Sequence, residues 1–414
     1  MGKQTNSTNR RSAIMRAAGT ALGLLGVAGS AAAADPAPVQ VGLIAPTSGL
    51  YARFGQVMKM GAELAVDDIN RKGGIQSMGG ARLKLVVIDS GDSTEKAKSA
   101  AQRMVSEYPD LSVATGAYLS SFTLAVTEVT ERAKLPMLTL SYSDQITGRG
   151  FKYIFQTSAT AGRQADIALP SILDLAEKAS GKRPQTVAIV TDNTAASLST
   201  VKAMKEGGLL DKYKLKLVVD QTFTPPLSDA SSLVQQVRSR KPDLLFFLPT
   251  VISDSKLLLE KMNEMNVRIP TIGFGIAIAE PDVLATISPQ LLEGVMSAVG
   301  NWGAKGQEDL IRRMKEQYKE PWMTQNAIST YGDMWIMKSA LEKAGKADRE
   351  AVATALRGLD EGRSPYFPGG VVKFDELGRR IGATLTVIQW QKGVPVTVFP
   401  EENAVAKALW PTGR

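Results

Sequence analysis

Hydroxyl side chains crowd four short turns of this chain, each following an apolar run: Ser48-Gly49, Tyr118 to Ser121, Ser141-Tyr142-Ser143, and Asp192-Asn193-Thr194. A stretch with helical spacing follows the first, second and fourth. If the runs are parallel strands, the turns lie at their carboxyl ends, where ligands collect. Hydroxyls and free N–H groups at a helix N-terminus suit an anion, above all a carboxylate. They neutralise it with directional hydrogen bonds and without a buried lysine. The rival reading for any one serine is a helix N-cap, so a site requires several of them to converge. Tyr51 and Phe54 follow the first turn. They either supply apolar contact to a ligand or pack in the core.

Chemistry beyond binding is poorly supplied. The chain has no histidine and no cysteine. That removes the commonest general base and zinc ligand, together with disulfides, thiolate chemistry and lipid attachment at a cysteine. Ser141 or Ser143 as a nucleophile would lack a histidine base, and no Ser-x-x-Lys box is present. Asp67-Asp68 point in directions too different to share an ion easily. No Gly-x-Gly-x-x-Gly follows the first strand and no phosphate loop occurs, so no metal or cofactor is expected. An exported hydrolase would have to rely on the strand-end acids Asp89, Asp144 and Asp192.

The charge of +8 needs no nucleic-acid partner, because half of it, Lys3, Arg10, Arg11 and Arg16, lies in the first 34 residues. Those residues read as an export signal: a basic start, the apolar segment Ala17 to Gly29, and a small-residue cleavage site at Ala32-Ala33-Ala34. The Arg10-Arg11 pair is compatible with a twin-arginine route. No later segment has the length of apolar run that spans a bilayer.

At 414 residues the chain exceeds one ordinary core, and two lobes are expected. Val39 to Ala45 reads as a buried strand and Val57, Met60, Gly61, Leu64 and Ala65 as one helix face. Strands over Arg82–Asp89, Leu111–Thr115 and Pro136–Leu140 alternate with helical stretches. A second set runs from helix Ala165–Ala179, which Pro170 should kink or shorten, to strand Thr271–Gly273, with strand Gly294–Val299 after it. A long helical region from Glu308 to Gly345 and late strands at Ala383–Gln391 and Val396–Phe399 follow. Strand–helix–strand rhythm means parallel sheets covered on both faces.

The opening stretch resembles the leucine/isoleucine/valine-binding family of periplasmic solute-binding proteins. Ser48-Gly49, Phe54-Gly55, Asp68-Ile69-Asn70 and Gly73-Gly74-Ile75 stand in that family's order. The resemblance implies an α/β fold of two Rossmann-like parallel-sheet lobes joined by a three-crossover hinge. Crossings near Thr157, Val299 and Gly378 would divide the chain into lobe 1 (35–157 plus 300–378) and lobe 2 (158–299 plus 379–414). It also implies capture of a small molecule between lobes, and delivery to a membrane ABC permease by a periplasmic, monomeric protein. A sensory module that presents its bound ligand to a receptor would share the pocket.

By the same resemblance, Ser120, Ser141 and Ser143 hold the ligand's carboxylate, beside Tyr118 and Ser121, and Phe54 covers it. Asn193, Thr194 and Gly275 meet the other end from lobe 2. Tyr331 lies in a segment that faces the cleft in similar proteins, with core packing equally open. Lobe 2 departs from the amino-acid-binding pattern. Ala196 stands where an aromatic is usual, and Gly275 where an acid binds the ligand's ammonium. Because an uncompensated buried ammonium is costly, the expected ligand is an aromatic, branched or keto acid or an amide. An amino acid stays open if Glu280 or Asp254 supplies the missing charge.

Overall fold

The structure, a computed structural model, describes residues 36–303 and 306–410. The expected export signal lies outside them. Strand β1 (Val39–Ala45) is buried on both faces except at the half-buried Gln40, and is followed by helix α1 (Ala52–Arg71). Then come β2 (Leu83–Asp89), α2 (Thr94–Glu107), β3 (Val113–Gly116), α3 (Ser120–Arg132), β4 (Met137–Thr139) and β5 (Ile154–Gln156). These strands form a five-stranded sheet of order β2-β1-β3-β4-β5, parallel throughout.

The second lobe opens with α4 (Ala161–Ser180), β6 (Thr186–Asp192), α5 (Ala195–Lys205) and the single turn α6 (Leu209–Lys212). It continues through β7 (Lys216–Phe223), α7 (Ser231–Arg240), β8 (Leu244–Leu248), α8 (Ile252–Glu264) and β9 (Thr271–Phe274). The short helices α9 (Val283–Thr286) and α10 (Pro289–Leu292) lead to β10 (Met296–Val299). Helices α11 (Glu308–Tyr318), α12 (Gln325–Ala344) and α13 (Arg349–Arg357) return to the first core, with a small ribbon of β11 (Glu361–Arg363) and β12 (Val371–Val372). Finally β13 (Thr386–Gln391) and β14 (Val394–Phe399) complete a seven-stranded sheet of order β14-β13-β10-β9-β8-β6-β7.

Three expectations are corrected. Pro170 does not shorten its helix, because α4 runs unbroken for 20 residues around it. The helical region from Glu308 is two helices, since Lys319 caps α11 in the left-handed conformation (φ 63°) and Pro321 cannot continue it. The second sheet is not purely parallel: β13 pairs antiparallel with both β10 and β14. A two-residue turn at Lys392-Gly393 joins those last strands, and so short a link permits only antiparallel pairing.

The chain passes between the sheets after Gln156, after Val299 and again beyond Gly378. The first and third passages run side by side: Gln156 N–H donates to Gly378 O (2.7 Å) and Arg380 N–H to Gln156 O (3.0 Å). The buried Arg380 guanidinium fastens them further, donating to Thr157 O (2.7 Å), Gly369 O (3.1 Å) and Pro368 O (3.0 Å).

Helix α1 lies against α12 at a distance only glycine permits. A Cβ on Gly61 would stand 2.2 Å from the Ala327 carbonyl oxygen. Gly61→Ala is therefore expected to lower folding stability by about 1–3 kcal/mol through overpacking. Urea denaturation at unchanged m-value checks this, and a loss under about 0.5 kcal/mol would mean that the helices part freely.

Candidate functional site

The carboxyl ends of strands from both sheets face one another across a cavity of about 60 Å³. Lobe 1 contributes Tyr118 and Ser120 after β3, and Leu140, Ser141 and Tyr142 after β4. Lobe 2 contributes Leu248 to Thr250 after β8, Phe274 to Ala277 after β9, and the first turn of α5. Gln325, the first residue of α12, closes the remaining side. No acidic or basic side chain lines this cavity among the described residues. Helices α3, α5 and α12 all begin at its wall, so the partial positive charge of their free N–H groups converges there.

The lobe 1 wall is built by unusual backbone. Gly116, Ala117 and Tyr118 all have positive φ (123°, 67° and 53°). Only glycine fits at Gly116, where a Cβ would stand 2.0 Å from Ile44 O. The left-handed conformation of Ala117 and Tyr118 costs about 1–2 kcal/mol each. Packing holds it in place: the Tyr118 ring stacks on Phe54 at 4.5 Å and meets Tyr51 at 6.0 Å. Phe54 and Tyr51 thus support the wall from behind, and neither lines the cavity.

Ser120 is not an N-cap, because it is the first residue of α3 and Leu119 holds the cap position. Its Oγ accepts from the N–H groups of Tyr142 (3.1 Å) and Ser143 (3.0 Å). Both lone pairs are engaged, and its O–H proton has no acceptor among the described residues. Ser141 Oγ donates to Tyr118 O (2.8 Å) and lies 2.6 Å from Thr123 Oγ1, so it ties β4 to α3.

Of the expected contacts, Tyr118, Ser120, Ser141 and Gly275 line the cavity. Tyr51, Phe54, Ser121, Ser143, Asn193, Thr194 and Tyr331 do not. Ser143 Oγ instead meets Ser199 Oγ of lobe 2 at 2.8 Å. Asn193 is exposed and donates to Thr224, and Thr194 donates to Asp192 through both N–H and hydroxyl. Tyr331, on α12, reaches α1, its hydroxyl donating to Asp68 at 2.7 Å. The strand-end acids serve the turns rather than catalysis. Asp89 accepts from Thr47 N–H, Ser48 hydroxyl and Gly91 N–H. Asp144 accepts from Gly162 N–H, and Asp192 from Thr194 and Thr250.

Neither candidate for an ammonium-binding acid reaches the cavity. Asp254 is fully buried and accepts from Leu227 N–H (2.8 Å), and burial pushes its carboxyl above the usual range. Glu280 is fully buried, 3.5 Å from Asn326 Nδ2 and 3.8 Å from Arg53 Nε. Burial, only partly offset by Arg53, pushes Glu280 up to about 8. Arg53 directs its paired N–H groups to Glu320 instead (2.8 and 2.6 Å).

Like Glu280, the buried Asp333 carboxyl is pushed up by burial, to about 7; it stands behind the hinge and accepts from Thr115 (2.5 Å). Both carboxyls hold a proton more tightly in the folded chain than in the unfolded one, where they titrate at about 4. Their stabilising contribution is full below about pH 4 and falls as pH rises through 7 and 8, by up to about 1.4 kcal/mol per pH unit for each group. Urea denaturation between pH 5.5 and 8 should show this decline, and the pair Glu280→Gln with Asp333→Asn should flatten it. An unchanged slope in that double variant would mean that both groups are ionised in the folded protein.

Two α/β lobes with an uncharged cavity between facing strand ends define a cleft of the solute-binding class. A family model described as periplasmic binding protein matches residues 38–394, and the chain belongs to that family. It is a binding protein and not an enzyme. The Leu/Ile/Val-binding protein homolog 8 of Brucella suis biovar 1 is 27% identical over 408 residues, 96% of this chain and 98% of that protein. Among solved structures, the branched-chain amino acid transporter substrate-binding protein of Streptococcus pneumoniae, in complex with isoleucine, superposes with a TM-score of 0.74 at 18% identity. The match covers 87% of this chain and 99% of that one. A solute-binding protein of an ABC transporter from R. palustris, in complex with benzoate, superposes with a TM-score of 0.72 at 18% identity. Here 90% of this chain and 99% of that one are covered.

Proposed function

We propose that this protein captures a small monocarboxylate with an apolar body and no ammonium group, and delivers it from the periplasm to a membrane ABC permease. The observation that carries this reading is a cavity without charged side chains in which Ser120 O–H lacks an acceptor. A carboxylate there would accept a hydrogen bond from the Ser120 hydroxyl and face three helix N-termini, while Phe274, Leu248 and Leu140 would meet its apolar body. An α-ammonium would have no carboxylate to receive it. The benzoate complex of a relative of the same fold supports a carboxylate of this kind.

In this reading lobe 1 is 35–157 plus 300–378 and lobe 2 is 158–299 plus 379–414, the first 34 residues direct export, and the mature protein acts as a monomer. Among the described residues no helix is long and apolar enough to cross a membrane. Closure by hinge bending would bring the two walls together around the ligand.

A thermal-shift screen of the chain from Asp35 onward tests the reading, with aromatic acids, short keto acids, amides and amino acids as the panel. Ligand at about 100 times its dissociation constant adds roughly 2.7 kcal/mol, which is readily seen as a melting shift. Shifts with carboxylates but not amino acids are expected. Shifts with branched-chain amino acids alone would overturn the reading.

A further inference from the structure

Gln325 and Tyr142 form a device that the serine-lined turns did not foreshadow. Gln325 is 2% exposed and lines the cleft cavity. Its Oε1 accepts from Gly300 N–H (2.8 Å) and from the Tyr142 hydroxyl. A backbone N–H can only donate, so the amide orientation is determined: the carbonyl faces Gly300 and the NH₂ group faces the other way. That NH₂ group has no acceptor among the described residues. The NH₂ group is left accessible at the wall of the cavity, where a ligand acceptor would bind it.

Tyr142 determines whether that amide is aimed. Its ring, carried on lobe 1 after β4, sits where two glycines leave room. A Cβ on Gly300 would stand 3.0 Å from Tyr142 Cε1, and one on Gly275 4.0 Å from Cε2. Gly275 follows β9 and has φ 94°, while Gly300 follows β10 at the second passage between lobes. Gly300 N–H also reaches the Tyr142 hydroxyl at 3.2 Å. The ring therefore docks on the backbone of the second passage between the lobes, at the same point where Gln325 is held.

We propose that Gln325 is a ligand-contacting residue that selects for an acceptor atom on the bound molecule, and that Tyr142 is the positioning residue that aims it. This rests on the carboxylate reading of the same cavity and adds a second recognition point to Ser120. The ligand then presents acceptor oxygens to Ser120 and Gln325, either the two oxygens of one carboxylate or a carboxylate and a neighbouring carbonyl.

The test uses benzoate and ketoisocaproate as probes, titrated calorimetrically into the wild type, Gln325→Ala and Tyr142→Phe. Side-chain amide NMR is recorded alongside, with the Gln325 signals assigned by their loss in Gln325→Ala. Expected results are an affinity loss of about 10- to 100-fold in Gln325→Ala, and a clear displacement of the Gln325 amide signals when probe is added to the wild type. Tyr142→Phe keeps the ring and should reduce both affinity and that displacement. If the wild type binds a probe while Gln325→Ala stays within twofold and the amide signals do not move, the inference is overturned and the carboxylate reading stands. If the wild type binds neither probe, the carboxylate reading falls and takes this inference with it.

Discussion

Arg53→Met is expected to cost about 3–5 kcal/mol of folding stability, the range for removing one partner of a buried ion pair. Arg53 lies in the first turn of α1 and is clasped by two acids from different parts of the fold. Glu320, 7% exposed, takes both guanidinium N–H groups, at 2.8 and 2.6 Å. Asp282 of lobe 2 contacts Nε. Removal leaves Glu320 buried and unpaired beside Asp282 and Glu280. Because Arg53 joins α1 of lobe 1 to the 280–282 segment of lobe 2, the loss should also loosen the closed arrangement. Urea denaturation measures the first effect. Adding Glu320→Gln to Arg53→Met should recover part of it, since the stranded charge is then gone. A loss below about 1 kcal/mol would mean that the cluster behaves as an exposed pair.

Ser120→Ala is expected to weaken carboxylate binding by about 100-fold, or roughly 2.7 kcal/mol. A hydrogen bond to a charged group contributes about 1.5–3 kcal/mol. The substitution removes that donor and also strands the Tyr142 and Ser143 N–H groups that now bind Oγ. The loop carrying Tyr142 should therefore lose definition as well as the ligand contact. Titration calorimetry with benzoate checks this. Binding within threefold of wild type would show that the helix N-termini alone hold the anion.

Ser120 was legible in the sequence because its signal is local: an apolar strand, a polar turn and a helix in order. The same logic found the opening β1–turn–α1 unit and the strand-end acids. Direction was harder to read. The spacing of Phe54 and Tyr51 suited core packing as well as ligand contact, and both pack against Tyr118, whose left-handed backbone turns its ring toward them. Tyr331 and Gln325 share one helix, and helical spacing alone does not say which of them meets the cleft. Gln325 meets Tyr142 across 183 residues, a pairing that no local pattern encodes. Arg53 and Glu320 are likewise 267 positions apart. The break between α11 and α12 was readable at Pro321, whereas the antiparallel end of the second sheet depended on weighing the Lys392-Gly393 turn.

Gly275 and the uncharged cavity make the sharpest claim, that no acidic side chain receives an ammonium. Leucine and ketoisocaproate share a carboxylate and an isobutyl body and differ at the carbon that bears the ammonium or the keto oxygen. The decisive measurement is a calorimetric titration of both into the protein from Asp35 onward, at one pH and one salt concentration. Binding of ketoisocaproate with leucine at least about 100-fold weaker, or roughly 2.7 kcal/mol, is the predicted result. Leucine binding as tightly as its keto acid, or more tightly, would contradict it, because an acid would then have to reach the ligand from outside the present cavity wall.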